Sequence, residues 1–155
     1  MGRIELILTS RACGTPMESH EAVELLPGLG IAGDRYATGR GFYSGVAEWD
    51  AHVTLIRREP FDAVAAEHGA ILDPVDLRRN LVTAGVDLHS LVGRRFRVGD
   101  RAILLARKVW PPCQHIVRSS GRPEIYRLLG RACGIGASVI EGGVVRLGDL
   151  LTPED

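Results

Sequence analysis

Cys113 is the residue whose neighbours best equip it for chemistry. It follows Trp110-Pro111-Pro112. The two prolines fix φ and withdraw two backbone donors, so they end the preceding strand and set the thiol on a stiff loop at its mouth. A thiolate there is both a nucleophile and a soft metal ligand, and His115, two residues on, can draw the thiol pKa below its free value. The competing reading is a buried, inert cysteine, the commonest fate of an isolated one. Cys13, in a turn-rich stretch before Gly14, and Cys133, at a helix end before Gly134, have weaker claims. The spacing of the three gives no support for a zinc site.

A second constellation is cationic. Arg35 follows Gly33-Asp34, and Arg78-Arg79-Asn80 precedes Leu81-Val82-Thr83. A guanidinium presents a fork of donors that matches phosphate geometry and stays charged at every working pH. Asn80 can offer an amide to the edge of a heterocycle, and Asp34 can orient Arg35 or accept from a ligand. Against this stands the ordinary reading, a solvated surface Arg–Asp pair. The glycines at 39, 41 and 45 fit a flap beside a site, although neither a GxxxxGK[ST] nor a GxGxxG pattern is present. The five histidines show no HExxH or HxH spacing, and Asp73, Asp76 and Asp87 stand in turn contexts that favour Asp for structural reasons.

Short β-type runs punctuated by glycine must position these groups. The chain has 155 residues and 19 glycines, with no linker or low-complexity stretch, which predicts one domain over residues 1–155. Strands are expected over Ile4–Thr9, Val23–Leu26, His52–Arg57 and Leu81–Thr83, and a hairpin over Phe96–Val98 and Ala102–Val109. Two or three more fall between Ala137 and Leu151. Helices are expected over Pro60–His68, stopped by Gly69, and over Pro123–Cys133, where Ile125, Leu128 and Leu129 share a face. Arg97-Val98-Gly99-Asp100 and Arg146-Leu147-Gly148-Asp149 echo one another as turn chemistry. The fold class is mainly β with two or three short helices.

Acidic and basic residues number 19 each, so no basic excess points to nucleic acid or to an anionic membrane surface. Eighteen of the basic residues are Arg, leaving Lys108 as the one candidate for a Schiff base; pyridoxal phosphate chemistry is therefore not expected. The N-terminus is too short and charged for a signal peptide, and no apolar run is long enough to span a bilayer. An odd cysteine count without CxxC fits a reducing compartment, and a cytoplasmic protein is expected.

Taken in order, several segments resemble the MOSC family, the domains related to the C-terminal part of molybdenum cofactor sulfurase. They are Gly30-Ile31-Ala32-Gly33-Asp34-Arg35-Tyr36, Val53-Thr54-Leu55-Ile56, Arg78-Arg79-Asn80-Leu81-Val82-Thr83, Gly85-Val86-Asp87-Leu88, the run from Leu91 to Asp100, and Pro112-Cys113. The resemblance implies a β-barrel with a pocket for the pterin-based molybdenum cofactor, molybdopterin. It further implies that Cys113 carries sulfur or binds molybdenum, and that Arg35, Arg78, Asn80 and Asp34 belong to the cofactor site. Arg79 matches less securely, since related sequences can have Pro there.

Three functions follow from the resemblance. The first is a sulfur carrier or sulfurtransferase working through a Cys113 persulfide. The second is a molybdenum-dependent oxidoreductase that reduces N-hydroxylated compounds with Cys113 as metal ligand. The third is a non-enzymatic module that stores or delivers cofactor. With neither an aminotransferase-like domain nor a second β-barrel beside it, a stand-alone module would take sulfur or electrons from a separate donor protein.

Overall fold

Alternation of side chains across a pleated strand, with every second residue turned inward, organises the molecule. A computed structural model describes residues 2–69, 73–110, 128, 129, 132 and 134–154. Seven strands form its main body: β1 (Gly2–Thr9), β5 (Val53–Arg57), β6 (Leu81–Ala84), β7 (Arg95–Val98), β8 (Ala102–Val109), β9 (Ile135–Glu141) and β11 (Leu150–Pro153). They pair in the order β1-β11-β7-β8-β9-β5-β6 and return to β1, closing a seven-stranded barrel. Closure leaves none of the seven as an open edge. Neighbours run antiparallel except β5 and β6, where Leu55 lies opposite Leu81 in parallel register. A parallel pair needs a crossover, and the connection contains α1 (Glu59–His68) and a 3-10 turn, Pro74–Leu77. A smaller sheet places β3 (Ala22–Leu26) between β4 (Gly30–Ile31) and β10 (Gly143–Arg146), and β2 (Glu18–Ser19) pairs with the end of β1.

Leu55 and Leu81 join Ile4, Phe96, Leu104, Val139 and Leu151 in one apolar cluster. Their neighbours Ile56 and Val82 turn the other way and meet Phe61 and Val64 of α1, together with Leu8, Leu77 and Leu129. This second layer explains why β5 and β6 are apolar on both faces. The helix α1 carries Pro60 in its first turn and ends at Gly69, whose φ of 64° is the left-handed cap expected of glycine.

The two Gly-Asp turns pack against each other: a Cβ on Gly99 would lie 2.6 Å from Asp149 Oδ2. That carboxylate accepts from the Arg146 amide at 2.8 Å, so the sequence echo is repeated turn chemistry in direct contact. Of the helix expected over Pro123–Cys133, Leu128 and Leu129 are helical; the remainder falls outside the described residues apart from Ala132. β2, β4 and the 3-10 turns Pro74–Leu77 and Leu88–Leu91 were not among the elements expected from sequence. β2 and β4 are held by pairing, and the 3-10 turns by the burial of Pro74 and Leu77 and of Leu88 and Leu91, with Asp73 capping the first.

Candidate functional site

Register brings the end of β1, the start of β5 and the residue before β6 side by side, since Ile7 and Leu55 both lie opposite Leu81. Asn80, one residue earlier, is therefore flanked by Leu8 and Thr54. Its amide is fully engaged: Oδ1 accepts from the Thr54 amide at 3.0 Å and pairs with its hydroxyl at 3.2 Å, while Nδ2 donates to Leu8 O at 3.1 Å and to Asp34 Oδ1 at 3.3 Å.

Asp34 follows Gly33, whose φ of 82° turns the chain inward after β4. The Asp34 carboxylate is fully buried and accepts from the amides of Ser10 (3.0 Å) and Tyr36 (3.3 Å), from Asn80, and from Arg35 Nη1 at 3.1 Å. Arg35 donates through Nη2 to Arg78 O at 3.0 Å. Arg78 in turn holds the turn after β1, donating to Thr15 O (2.7 Å), Ser10 Oγ (3.2 Å) and Ala12 O (3.4 Å). Its backbone is left-handed, φ 56° and ψ 34°, a conformation that costs a residue with a Cβ about 1–2 kcal/mol. Glu48 is the other described non-glycine residue with positive φ.

The competing reading, a solvated surface Arg–Asp pair, does not hold, because Asp34, Arg35, Arg78 and Arg79 are exposed by only 0%, 5%, 7% and 2%. These are the buried charged residues among those described, three cations against one carboxylate. Burial pushes the Arg78 guanidinium below its ordinary pKa, and the neighbouring Arg35 charge adds to the shift. Five N–H groups decorate each guanidinium. The Nε–H of neither Arg35 nor Arg78 makes a hydrogen bond among the described residues, so donor capacity remains on both.

An aromatic group that sequence reasoning missed adjoins the arginines. Tyr43 and Trp49 stack with centroids 4.7 Å apart, Trp110 meets both edge-on at 5.6 and 5.3 Å, and Tyr36 lies 6.5 Å from Trp49. Cations sit over these rings: Arg35 over Tyr36, Arg79 over Trp110 at 5.5 Å, and Lys108 over Trp49 at 4.5 Å. The available signal was local density, since Tyr36, Phe42, Tyr43 and Trp49 are half of the chain's eight aromatic residues. The Gly39–Gly45 loop lies against this group, and a Cβ on Gly41 would collide with the Tyr36 ring.

Burial raises the Tyr36 pKa, against the lowering effect of Arg35. A phenol whose folded pKa exceeds its unfolded value contributes stability that is present below the unfolded pKa and lost as pH rises through the folded one. Melting temperature should therefore fall more steeply above about pH 10 in the parent protein than in Tyr36→Phe. Parallel alkaline melting curves would contradict the assignment.

Cys13 is exposed, and its amide donates to Arg40 O at 2.9 Å. Cys113, His115 and Cys133 lie outside the described residues. Trp110, which leads into Pro111-Pro112-Cys113, is buried and donates its amide to Gly134 O at 2.8 Å. Among the described residues no group of three His, Cys, Asp or Glu side chains could hold a metal ion, and no helix is long and apolar enough to cross a membrane.

A small closed β-barrel with a buried guanidinium–carboxylate–amide network beside an aromatic cluster defines the class of protein. The MOSC domain family model matches residues 33–152, and the chain belongs to that family, which is associated with the molybdenum cofactor. Solved structures share the fold. The YuaD protein from Bacillus subtilis superposes with a TM-score of 0.74 at 20% identity, covering 97% of this chain and 94% of that one. YiiM from Geobacillus stearothermophilus gives 0.72 at 14% identity, covering 100% and 76%. YiiM from Escherichia coli gives 0.67 at 21% identity, covering 99% and 70%. At these identities the likeness speaks for the fold alone. Comparison with curated proteins found no match.

Proposed function

We propose that this MOSC domain holds the anionic, pterin-based molybdenum cofactor at Arg35 and Arg78, and that Cys113 serves it as a sulfur carrier. The observation that carries the reading is the pair of buried guanidiniums around a single carboxylate, each with an Nε–H that no described residue accepts. Burying a cation without a counter-charge is costly, and an anionic ligand relieves that cost. A phosphate suits the site because guanidinium forks bind it with two parallel hydrogen bonds. The residues present thus fit the anionic end of such a group.

Cys113 enters through the family resemblance and through chain connectivity. In the sequence it follows Trp110 by three residues. The Trp110 ring in turn adjoins Arg79, next to Arg78. As a persulfide, Cys113 would present a sulfane outer sulfur. Its transfer breaks the S–S bond, releases the Cys113 thiolate and takes two electrons from an external reductant to bring the sulfur to the sulfide level. A donor protein that itself carries a persulfide would reload the thiolate by exchange. The bound cofactor would supply the sulfur acceptor.

Labile sulfur and pterin content test this in the parent protein and in Cys113→Ala, both purified from a host competent in cofactor synthesis. Labile sulfur should be present in the parent and lost in the variant, while pterin is retained. Equal labile sulfur in both would remove Cys113 as the carrier. Bound molybdenum lost together with the thiol would instead make Cys113 a metal ligand and favour reduction of N-hydroxylated compounds.

A further inference from the structure

We infer that Asn80 acts as a positioning residue for Arg35 and makes no ligand contact of its own. The inference rests on the reading that Arg35 grips an anion. A primary amide has two N–H donors and an oxygen with two lone pairs. In Asn80 all of these are used: Oδ1 faces the Thr54 amide and hydroxyl, and Nδ2 faces Leu8 O and Asp34 Oδ1. The Thr54 amide is a donor, so it fixes which end of the Asn80 side chain points towards Asp34. A flipped amide would set N–H against N–H at Thr54 and oxygen against carboxylate at Asp34.

Asp34 Oδ1 is consequently held from three directions, by the Ser10 amide at the end of β1, by Asn80 ahead of β6, and by Arg35 itself. The other end of the Arg35 fork is tied to Arg78 O. Asn80 thus reaches the ligand through a chain of contacts, amide to carboxylate to guanidinium. Its effect should vanish when Arg35 is gone.

A double-mutant cycle measures this, with pterin retention after equilibrium dialysis as the readout for the parent, Asn80→Ala, Arg35→Ala and the double variant. Asn80→Ala should weaken retention about tenfold or more in the parent background and add nothing in the Arg35→Ala background. Additive losses would mean that Asn80 touches the ligand directly and would overturn the inference. Because Asn80 is fully buried, each variant is first shown to melt cooperatively, and Asp34→Asn, which preserves volume, provides a second cycle with the same expectation.

A readout that needs no cofactor separates this inference from the reading beneath it. The Arg35 Nη–H resonances of the cofactor-free protein, engaged by Asp34 Oδ1 and Arg78 O, should be sharp and slow to exchange in the parent and broadened in Asn80→Ala. Unchanged resonances would overturn the positioning role. A parent protein without pterin would overturn the reading of the site, and the Arg35 resonances would still decide what Asn80 does.

Discussion

Replacing Asp34 with alanine should cost about 3–5 kcal/mol of folding stability, the range for removing one partner from a buried ion pair. Asp34 is the single carboxylate among the described buried charges, and it accepts hydrogen bonds from two backbone amides, Asn80 and Arg35. Its loss leaves Arg35 and Arg78 facing each other, and the repulsion that adds to burial in lowering the Arg78 pKa goes uncompensated. For a domain of this size the melting temperature should drop by about 10 °C or more. Adding Arg35→Met to Asp34→Ala removes the stranded charge, and the double variant should be more stable than Asp34→Ala alone. A loss below about 1 kcal/mol, or a double variant no better than the single, would mean that water solvates these guanidiniums.

Gly134→Ala should be comparably damaging for a different reason. Gly134 has a φ of 97°, and a Cβ there would collide with the Leu55 carbonyl oxygen and lie 3.0 Å from its carbon. Neither contact is the flexible end of a side chain, so the backbone of β5 or the entry to β9 must move. Left-handed strain and overpacking together cost about 3 kcal/mol or more. Gly69→Ala is the control: its φ of 64° is also positive but its Cβ would meet open space, so only about 1 kcal/mol should be lost. Gly134 O also accepts from the Trp110 amide, so the variant should disturb the segment leading to Cys113 as well. Matched melting temperatures for the two alanine variants would show that the collision is relieved without cost.

The longer strands and α1 were legible because their signals are local. The Gly-Asp turns mark the ends of β7, β8 and β11, and Pro60 with Gly69 brackets α1. The closing pair β1–β11 and the parallel pair β5–β6 join segments far apart in the chain, and periodicity carries no information about such partners. The same limit applied to the site. Asp34, Arg35, Arg78 and Asn80 were legible as residue types, but their burial depends on Ser10, Thr54 and Leu8, which become neighbours only through the register of three strands. A solvated pair and a buried network have the same sequence until that register is fixed. Trp110 joins Tyr43 and Trp49 across some sixty residues of chain for the same reason.

The most direct test of the central claim is the pterin content of the protein, purified from a host competent in molybdenum cofactor synthesis, beside that of Arg35→Lys and Arg78→Lys. Lysine keeps the charge but loses the donor fork. Near-stoichiometric pterin in the parent, falling about tenfold or more in each folded variant, is the result the account predicts. A parent protein free of pterin, or lysine variants that retain as much as the parent, would contradict it.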